Sequence, residues 1–229
     1  MNVYEGAENL EVMASAVNYN QFLTQLILSK AKPGDRMLDF GAGIGTFANR
    51  VREAGYSVTC VEPDIAQADR VARSGIPVVG QLDQIVDHSV DYIYTLNVLE
   101  HIEDDVTALR ELSQKLSPGG RILIYVPAFK ILFSSMDRRV GHHRRYTLPG
   151  LRTAVEAAGL SVEQGRYADC LGFFATLVYK LFGDDSGQID ERALVAYDRI
   201  AFPLSRLADI AFGRFFGKNV FLVATRSEE

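Results

Sequence analysis

Tryptophan is absent from these 229 residues, and cysteine occurs only twice, at Cys60 and Cys170. Two isolated cysteines supply neither a disulfide framework nor a zinc knuckle, and point to a reducing, cytoplasmic compartment. An excess of basic charge is missing too: 24 Lys and Arg stand against 29 Asp and Glu, a net charge of −5. Such a chain is poorly suited to coating a phosphate backbone, so no nucleic-acid partner is expected. Long apolar runs are lacking. Val12 to Ser29 carries no charge, yet Ser15, Asn18, Asn20, Gln21, Thr24, Gln25 and Ser29 would be costly in lipid. It reads as a helix in water, and no transmembrane segment is expected. The first residues hold three acids and no apolar leader core, which argues against a signal peptide. Repeats and low-complexity tracts do not occur.

What remains is ordinary globular composition, 48% hydrophobic and 23% charged, enough for one domain over 1–229. A helical cap is expected over 1–30, with its helix at about 14–30, and Pro33-Gly34 makes a turn. Short apolar runs at Arg36–Phe40, Ser57–Val61, Pro77–Val79, Val90–Thr95 and Gly120–Val126 then alternate with helical patterns at Ile44–Ala54, Ile65–Ser74 and Asp104–Leu116. That rhythm predicts an α/β fold: a Rossmann-like, seven-stranded, mostly parallel sheet with helices on both faces. Ser117-Pro-Gly-Gly120 is a break before the fifth strand. Beyond Pro127 come a basic loop (Met136–Tyr146), a helix at Pro149–Ala158 and a strand near Ser161–Tyr167. A helical insertion over 171–217 precedes a last strand at 218–225, after a ligand-binding core over 36–170.

The first strand ends in Asp39-Phe-Gly41-Ala42-Gly43-Ile-Gly45 and runs into a helix. A strand-to-helix turn stripped of side chains lets a ligand sit against the backbone at the sheet's carboxyl edge. The second strand ends in Val61-Glu62-Pro63-Asp64, and an acid at that tip is placed to accept both ribose hydroxyls of a nucleoside. A dinucleotide fingerprint would need glycine at 46, where Thr46 stands. Asp39 would also face the pyrophosphate with a negative charge, whereas it suits a ligand bearing an ammonium group.

On LDFGAGIGTF, Glu62, VDYIYTLNVLEHIEDD and LSPGGRILIYVP, in that order over 36–126, the chain resembles the class I S-adenosylmethionine-dependent methyltransferases. The resemblance implies S-adenosylmethionine as cofactor. It places Gly41, Gly43 and Gly45 under the methionine and ribose, with Ala42 and Pro63 in the same turns. Gln81 and Leu82 would flank the adenine, and Asn97 would touch the amino-acid part. Asn18-Tyr19-Asn20 resembles an N-terminal element that closes over the cofactor.

Methyl transfer leaves the protein to position the acceptor, exclude water and take up a proton. Two clusters compete for that proton. Glu100-His101 follows the fourth strand; in some similar O-methyltransferases an acid at the position of Asn97 completes a metal site, so no metal is assigned here. Capping or orienting the next helix is their alternative role. The second cluster, Asp137-Arg-Arg-Val-Gly-His142-His143-Arg144-Arg145-Tyr146, packs six basic residues into 138–145. It resembles a GHxRRY-like signature of one bacterial methyltransferase branch. A histidine suits general-base work, and paired arginines suit a carboxylate or phosphate. His142 is thus the expected base, with His101 and Glu100 as rival catalytic groups and His143, Arg144, Arg145 and Tyr146 as substrate-binding residues. Pairing of Arg144 and Arg145 with acids such as Asp137 is the structural alternative.

The expected activity is direct displacement of the methyl group onto a small-molecule acceptor, most simply at oxygen. The acceptor could be anionic, or lipid-linked given the Phe- and Leu-rich insertion, whose other reading is a lid on the sheet. A non-catalytic S-adenosylmethionine-binding module is one rival reading. A nicotinamide-dependent oxidoreductase is another, opposed by Thr46 and Asp39.

Overall fold

The computed structural model describes residues 7–182 and 190–227. Residues 1–6 of the expected cap, 183–189 of the expected insertion and the last two residues lie outside the described residues. Seven strands form one sheet: β1 (Arg36–Phe40), β2 (Ser57–Val61), β3 (Val78–Val79), β4 (Val90–Leu96), β5 (Leu116–Pro127), β6 (Leu160–Ala168) and β7 (Asn219–Arg226). Their order is β3-β2-β1-β4-β5-β7-β6. β7 runs antiparallel to both β5 and β6, and every other pairing is parallel.

The period-two geometry of the strands sorts the core into two layers. Leu38, Ile93, Ile122, Ile124 and Leu222 face one side, where Leu109 and Leu112 of α5 (Asp105–Lys115) and Leu151 and Val155 of α7 (Leu148–Ala157) cover them. Met37, Cys60, Tyr92, Tyr94, Leu123, Tyr125 and Phe221 face the other. They pack on Leu23 and Ile27 of α2 (Val17–Leu28), Ala48 and Val51 of α3 (Thr46–Glu53) and Val71 of α4 (Ile65–Arg73). Each fully buried aliphatic side chain contributes about 1.5–3 kcal/mol. Asp64, Asp104 and Thr147 accept from backbone amides of Gln67, Thr107 and Gly150, so α4, α5 and α7 start where their caps lie.

Four boundaries differ from expectation. The N-terminal helix is two, α1 (Ala7–Ala14) and α2, because the chain breaks at Ser15-Ala16. The Asn20 side chain donates to Met13 O (2.9 Å) across that break. β5 begins at Leu116, ahead of the Pro-Gly-Gly break: the register against β4 jumps from Val90–Leu116 to Tyr92–Arg121, so the break is a bulge inside the strand. The basic loop opens with α6 (Ser135–Arg139), started by Ser134 and Asp137. The insertion begins at Cys170, and its described residues hold three helices, α8 (Cys170–Phe182), α9 (Glu191–Ala196) and α10 (Phe202–Phe212), the last two joined by a π-helical turn over Tyr197–Ala201. Among the described residues, no helix is long and apolar enough to cross a membrane.

Candidate functional site

The carboxyl ends of β1, β2 and β4 converge at the point where the strand order reverses, the usual place for a ligand in an open α/β sheet. Gly41, Gly43 and Gly45 all have positive φ there (81°, 54° and 79°). At Gly41 a side chain is excluded twice over, because a Cβ would overlap the Val98 methyl groups of the turn after β4. Gly41 and Ala42 both direct their amides at Val61 O, which pins the glycine turn to the tip of β2.

Glu62 sits at that tip, buried, and its carboxylate is aimed by two backbone donors: Gly43 N to Oε2 (2.7 Å) and Asp64 N to Oε1 (2.9 Å). Each oxygen retains a lone pair for a ligand hydroxyl. Burial raises its pKa, with those two amides pulling it back down. Asp39 is also buried, and Oδ2 has no hydrogen-bond partner. Burial pushes its carboxyl up to about 7; the Tyr94 hydroxyl lowers it and the negative Glu62 raises it. A buried, unpartnered carboxylate oxygen beside a bare glycine turn fits a ligand that brings a cation to it.

The remaining residues expected at the cofactor surround the same edge. Pro63 is exposed just past Glu62, and Gln81 and Leu82 open the 3-10 turn after β3, with Leu82 packed on the core. Asn97 follows β4 in a left-handed conformation (φ 56°), its amide bonded to Tyr125 O (2.7 Å). Tyr19 reaches over from α2, its hydroxyl beside Tyr125 and Asn97, and burial raises it to about 12. Asn18 and Asn20 turn elsewhere: Asn18 bonds Asp198 and Asn20 bonds Met13.

Glu100, His101 and His142 come together although they stand on two segments. Each offers one ligand atom, all within 4.8 Å of one another, so among the described residues this group could hold a metal ion. Glu100 is fully buried with neither carboxylate oxygen hydrogen-bonded, and burial pushes it up to about 8 against the pull of the Arg145 guanidinium. Burial, then the adjacent His142, lowers His101 to about 4, so it is neutral at pH 7. The two imidazoles meet edge to face, 4.5 Å between ring centres. Asp104, not Glu100 or His101, caps α5.

His142 is oriented through its far nitrogen: Nδ1 lies 2.7 Å from Asp137 Oδ1, and Nε2 lies 3.8 Å from Glu100 Oε1. Asp137 is itself locked. It accepts from Arg145 Nε (2.8 Å) and Nη2 (3.0 Å) and from Ser134 N (2.8 Å). Burial alone would raise its carboxyl, but His142, Arg145 and the Ser134 amide hold it well below the ordinary carboxylate range. An ionised Asp137 accepts a hydrogen bond from Nδ1–H, which fixes the tautomer and leaves the lone pair on Nε2.

The four residues expected to bind substrate divide. Arg145 is buried on Asp137 and donates to Ala128 O; Arg144 pairs with Asp105 (3.1 Å) and the Glu103 carbonyl. The buried Tyr146 hydroxyl donates to Asp105 Oδ2 (2.7 Å). These three hold the loop to the core, while His143 is exposed. Asp198 went unnoticed in sequence: its two oxygens accept from Asn18 N (2.9 Å) and Tyr19 N (2.8 Å), capping α2 from 180 residues away. No local pattern signals such a contact.

A family profile described as "Methyltransferase domain" matches residues 13–164. An uncharacterized methyltransferase of Mycobacterium tuberculosis is 31% identical over 112 residues, covering 46% of this chain and 42% of the relative. The chain spans less than half the length of the curated relatives it matches. Among solved structures, a putative methyltransferase of Haloferax volcanii in complex with the methyltransferase activator Trm112 aligns with a TM-score of 0.68 at 15% identity, covering 99% of each chain. Haemonchus contortus phosphoethanolamine N-methyltransferase 2, solved with S-adenosyl-L-methionine, aligns with a TM-score of 0.61 at 20% identity, covering 92% of this chain and 52% of its own.

Proposed function

Because this chain belongs to the methyltransferase domain family, with S-adenosylmethionine as its cofactor, we propose that it methylates a small molecule at oxygen and that His142 takes the acceptor's proton. The observation that carries this reading is the Asp137–His142 pair at 2.7 Å, in which a locked carboxylate fixes the tautomer of a partly buried imidazole. When bound, S-adenosylmethionine supplies an electrophilic methyl group for direct displacement. Asp39, the Gly41–Gly45 turn and Glu62 would hold it, with Gln81 and Leu82 on the side of its base and Asn97 and Tyr19 on the side of its amino-acid part.

His142 Nε2 then stands free to draw a proton from an acceptor hydroxyl, worth about 10²–10⁴ in rate for a well-placed base. Glu100, whose Oε1 lies 3.8 Å from that nitrogen, is largely protonated at pH 7, so it sets no fixed negative charge beside the developing oxyanion. His101, held neutral, stands edge to face against the His142 ring. Arg145 and Tyr146 act on this chemistry only by fixing the loop, and His143 is the loop residue left to meet the acceptor.

The test is a two-part comparison of His142→Ala with the wild type. Titration with S-adenosylhomocysteine should give the same affinity, because no cofactor contact is removed. Turnover on a panel of small phenols, catechols and amines should fall at least a hundredfold for hydroxyl acceptors. Normal turnover in the variant, or loss confined to amines, overturns the oxygen reading. Cofactor binding without transfer in the wild type would favour a non-catalytic module.

A further inference from the structure

The segment from the π-helical turn through α10 is built inside out. Its buried face carries Asp198, Ser205 and Asp209 beside Phe202, whereas its outward face carries Ile200, Leu204, Leu207 and Ile210, 69%, 56%, 66% and 73% exposed. Within α10, positions 204 and 207 lie on one side of the helix and 202, 205 and 209 on the other, with Ile210 at the flank of the outward stripe. The polar face is spent internally: Asp198 caps α2, Ser205 accepts from Leu171 N, and Asp209 accepts from Asp169 N and Cys170 N. Arg206 also turns in, over the Phe22 ring. From Ile200 to Phe212 the only two charged side chains, Arg206 and Asp209, are both folded back against the protein.

Cations bracket this stripe. Arg192 and Arg199 line an open hollow of about 470 Å³ with Glu191, Val195 and Ile200, and exposed Arg214 stands at the far end beside Phe212 and Phe215. Among the described residues none of these three arginines pairs with an acid, and Glu191 already accepts from the Ser15 hydroxyl. An apolar strip with cations at both ends matches the boundary where acyl chains meet phosphate headgroups. A second copy fits less well, since antiparallel stripe-on-stripe pairing would set Arg199 against the copy's Arg214.

We propose that α10 and the preceding turn form a membrane-surface docking face. Ile200, Leu204, Leu207 and Ile210 enter the acyl boundary, and Arg192, Arg199 and Arg214 take anionic headgroup phosphates. The helix lies in the plane of the surface; eleven residues rise only about 16 Å, half of a bilayer core. Through Asp198, the docked segment is also the one that caps α2 ahead of Tyr19.

Cosedimentation of the full chain with phosphatidylcholine vesicles, and with vesicles containing phosphatidylglycerol, tests this directly. Binding to the anionic vesicles is expected, weaker in high salt. The double substitution Leu204→Asp/Leu207→Asp should lower partitioning at least about tenfold. Arg192→Glu/Arg199→Glu should abolish the preference for phosphatidylglycerol. Leu204→Ala/Leu207→Ala, which keeps helix propensity, should give an intermediate loss. Unchanged melting temperature and S-adenosylhomocysteine affinity in these variants would show that the fold is intact. Absence of vesicle binding, or binding that survives the Asp substitutions, overturns the proposal. So does a dimer, seen by light scattering, that the Asp substitutions break while vesicles stay unbound.

Discussion

Single carboxyl groups set how this site responds to pH. Asp39 lies at about 7 because it is buried near Glu62, so in the free protein it is largely protonated below neutrality. The amino-acid part of S-adenosylhomocysteine brings an ammonium, which favours the ionised form. Binding below pH 7 therefore expels a proton, and affinity should rise with pH up to about 7 and then level off. Calorimetry across pH 5.5–8.5 (a window about the raised value) should show that slope, and Asp39→Asn should flatten it and weaken the plateau by about tenfold or more. A wild-type affinity flat across the window would remove Asp39 from the ammonium. The stability of the unliganded protein carries the opposite sign. With its folded pKa raised above the ordinary carboxylate value, Asp39 favours the native state at low pH, and that contribution is lost as pH rises through about 7. Asp39 and Glu62 were legible in sequence because a strand end and a glycine turn are local features. Glu100 and His142 were visible only as separate motifs. Their meeting depends on the loop after β5 folding back over the turn after β4, where His143 N bonds Glu100 O (2.7 Å).

Helices and strands that carry their own signals appeared where the pattern put them: β1 and β2 by apolar runs, α4, α5 and α7 by helical periodicity, their starts fixed in the structure by the Asp64, Asp104 and Thr147 caps. The misreadings occurred where tertiary contacts decide a boundary. Ala16, the residue before α2, offers no side chain to cap it; the cap is Asp198, supplied by the insertion. α6 is five residues long and exists because Ser134 and Asp137 bond each other, a pattern easily lost in a run of arginines. The borrowed cap is testable. Asp198→Ala strips two partly buried amides of their acceptor and should destabilise the fold by about 1–2 kcal/mol. It should also loosen Tyr19 over Asn97, weakening S-adenosylhomocysteine binding more than Leu204→Ala does, although both residues stand on the same segment. Thermal melts with calorimetric titrations compare the two. Equal small effects would mean that α2 holds its position through the packing of Leu23 and Ile27 alone.

Across the whole molecule, the two edges of the sheet divide stability from function. The amino edge is closed by ion pairs: Arg36–Asp91 (2.8 Å), Lys115–Asp87 (2.6 Å) and the buried Arg121–Asp35 pair (2.5 Å), which ties the start of β1 to β5 across β4. The carboxyl edge keeps unpartnered oxygens, Asp39 Oδ2, both Glu100 oxygens and Asn219 Oδ1, where a fold selected only for stability would have paired them; at the amino edge Arg121 Nε is left so, although its guanidinium is paired with Asp35. Strand alternation and turn chemistry suggest which edge is which before any coordinates, since the glycine turn and Glu62 follow strand ends while Pro33-Gly34 precedes one. The long-range pairs that close the amino edge carry no such mark; Asp35 and Arg121 are 86 positions apart. Two substitutions should therefore separate cleanly. Asp35→Ala strands the Arg121 guanidinium in a nearly closed environment and should cost about 3–5 kcal/mol of stability. The fraction that remains folded should still bind S-adenosylhomocysteine with wild-type affinity. Glu62→Ala should shift the balance the other way, weakening binding by tenfold or more (about 1.4 kcal/mol per factor of ten) while costing no more than about 1–2 kcal/mol of stability for the Gly43 and Asp64 amides left without an acceptor. Urea titrations paired with calorimetry at low denaturant measure both quantities on each variant. If Asp35→Ala lowered affinity as much as Glu62→Ala does, the two edges would be one coupled unit. Ligand binding would then be carried by the rigidity of the whole sheet instead of by the residues at its carboxyl end.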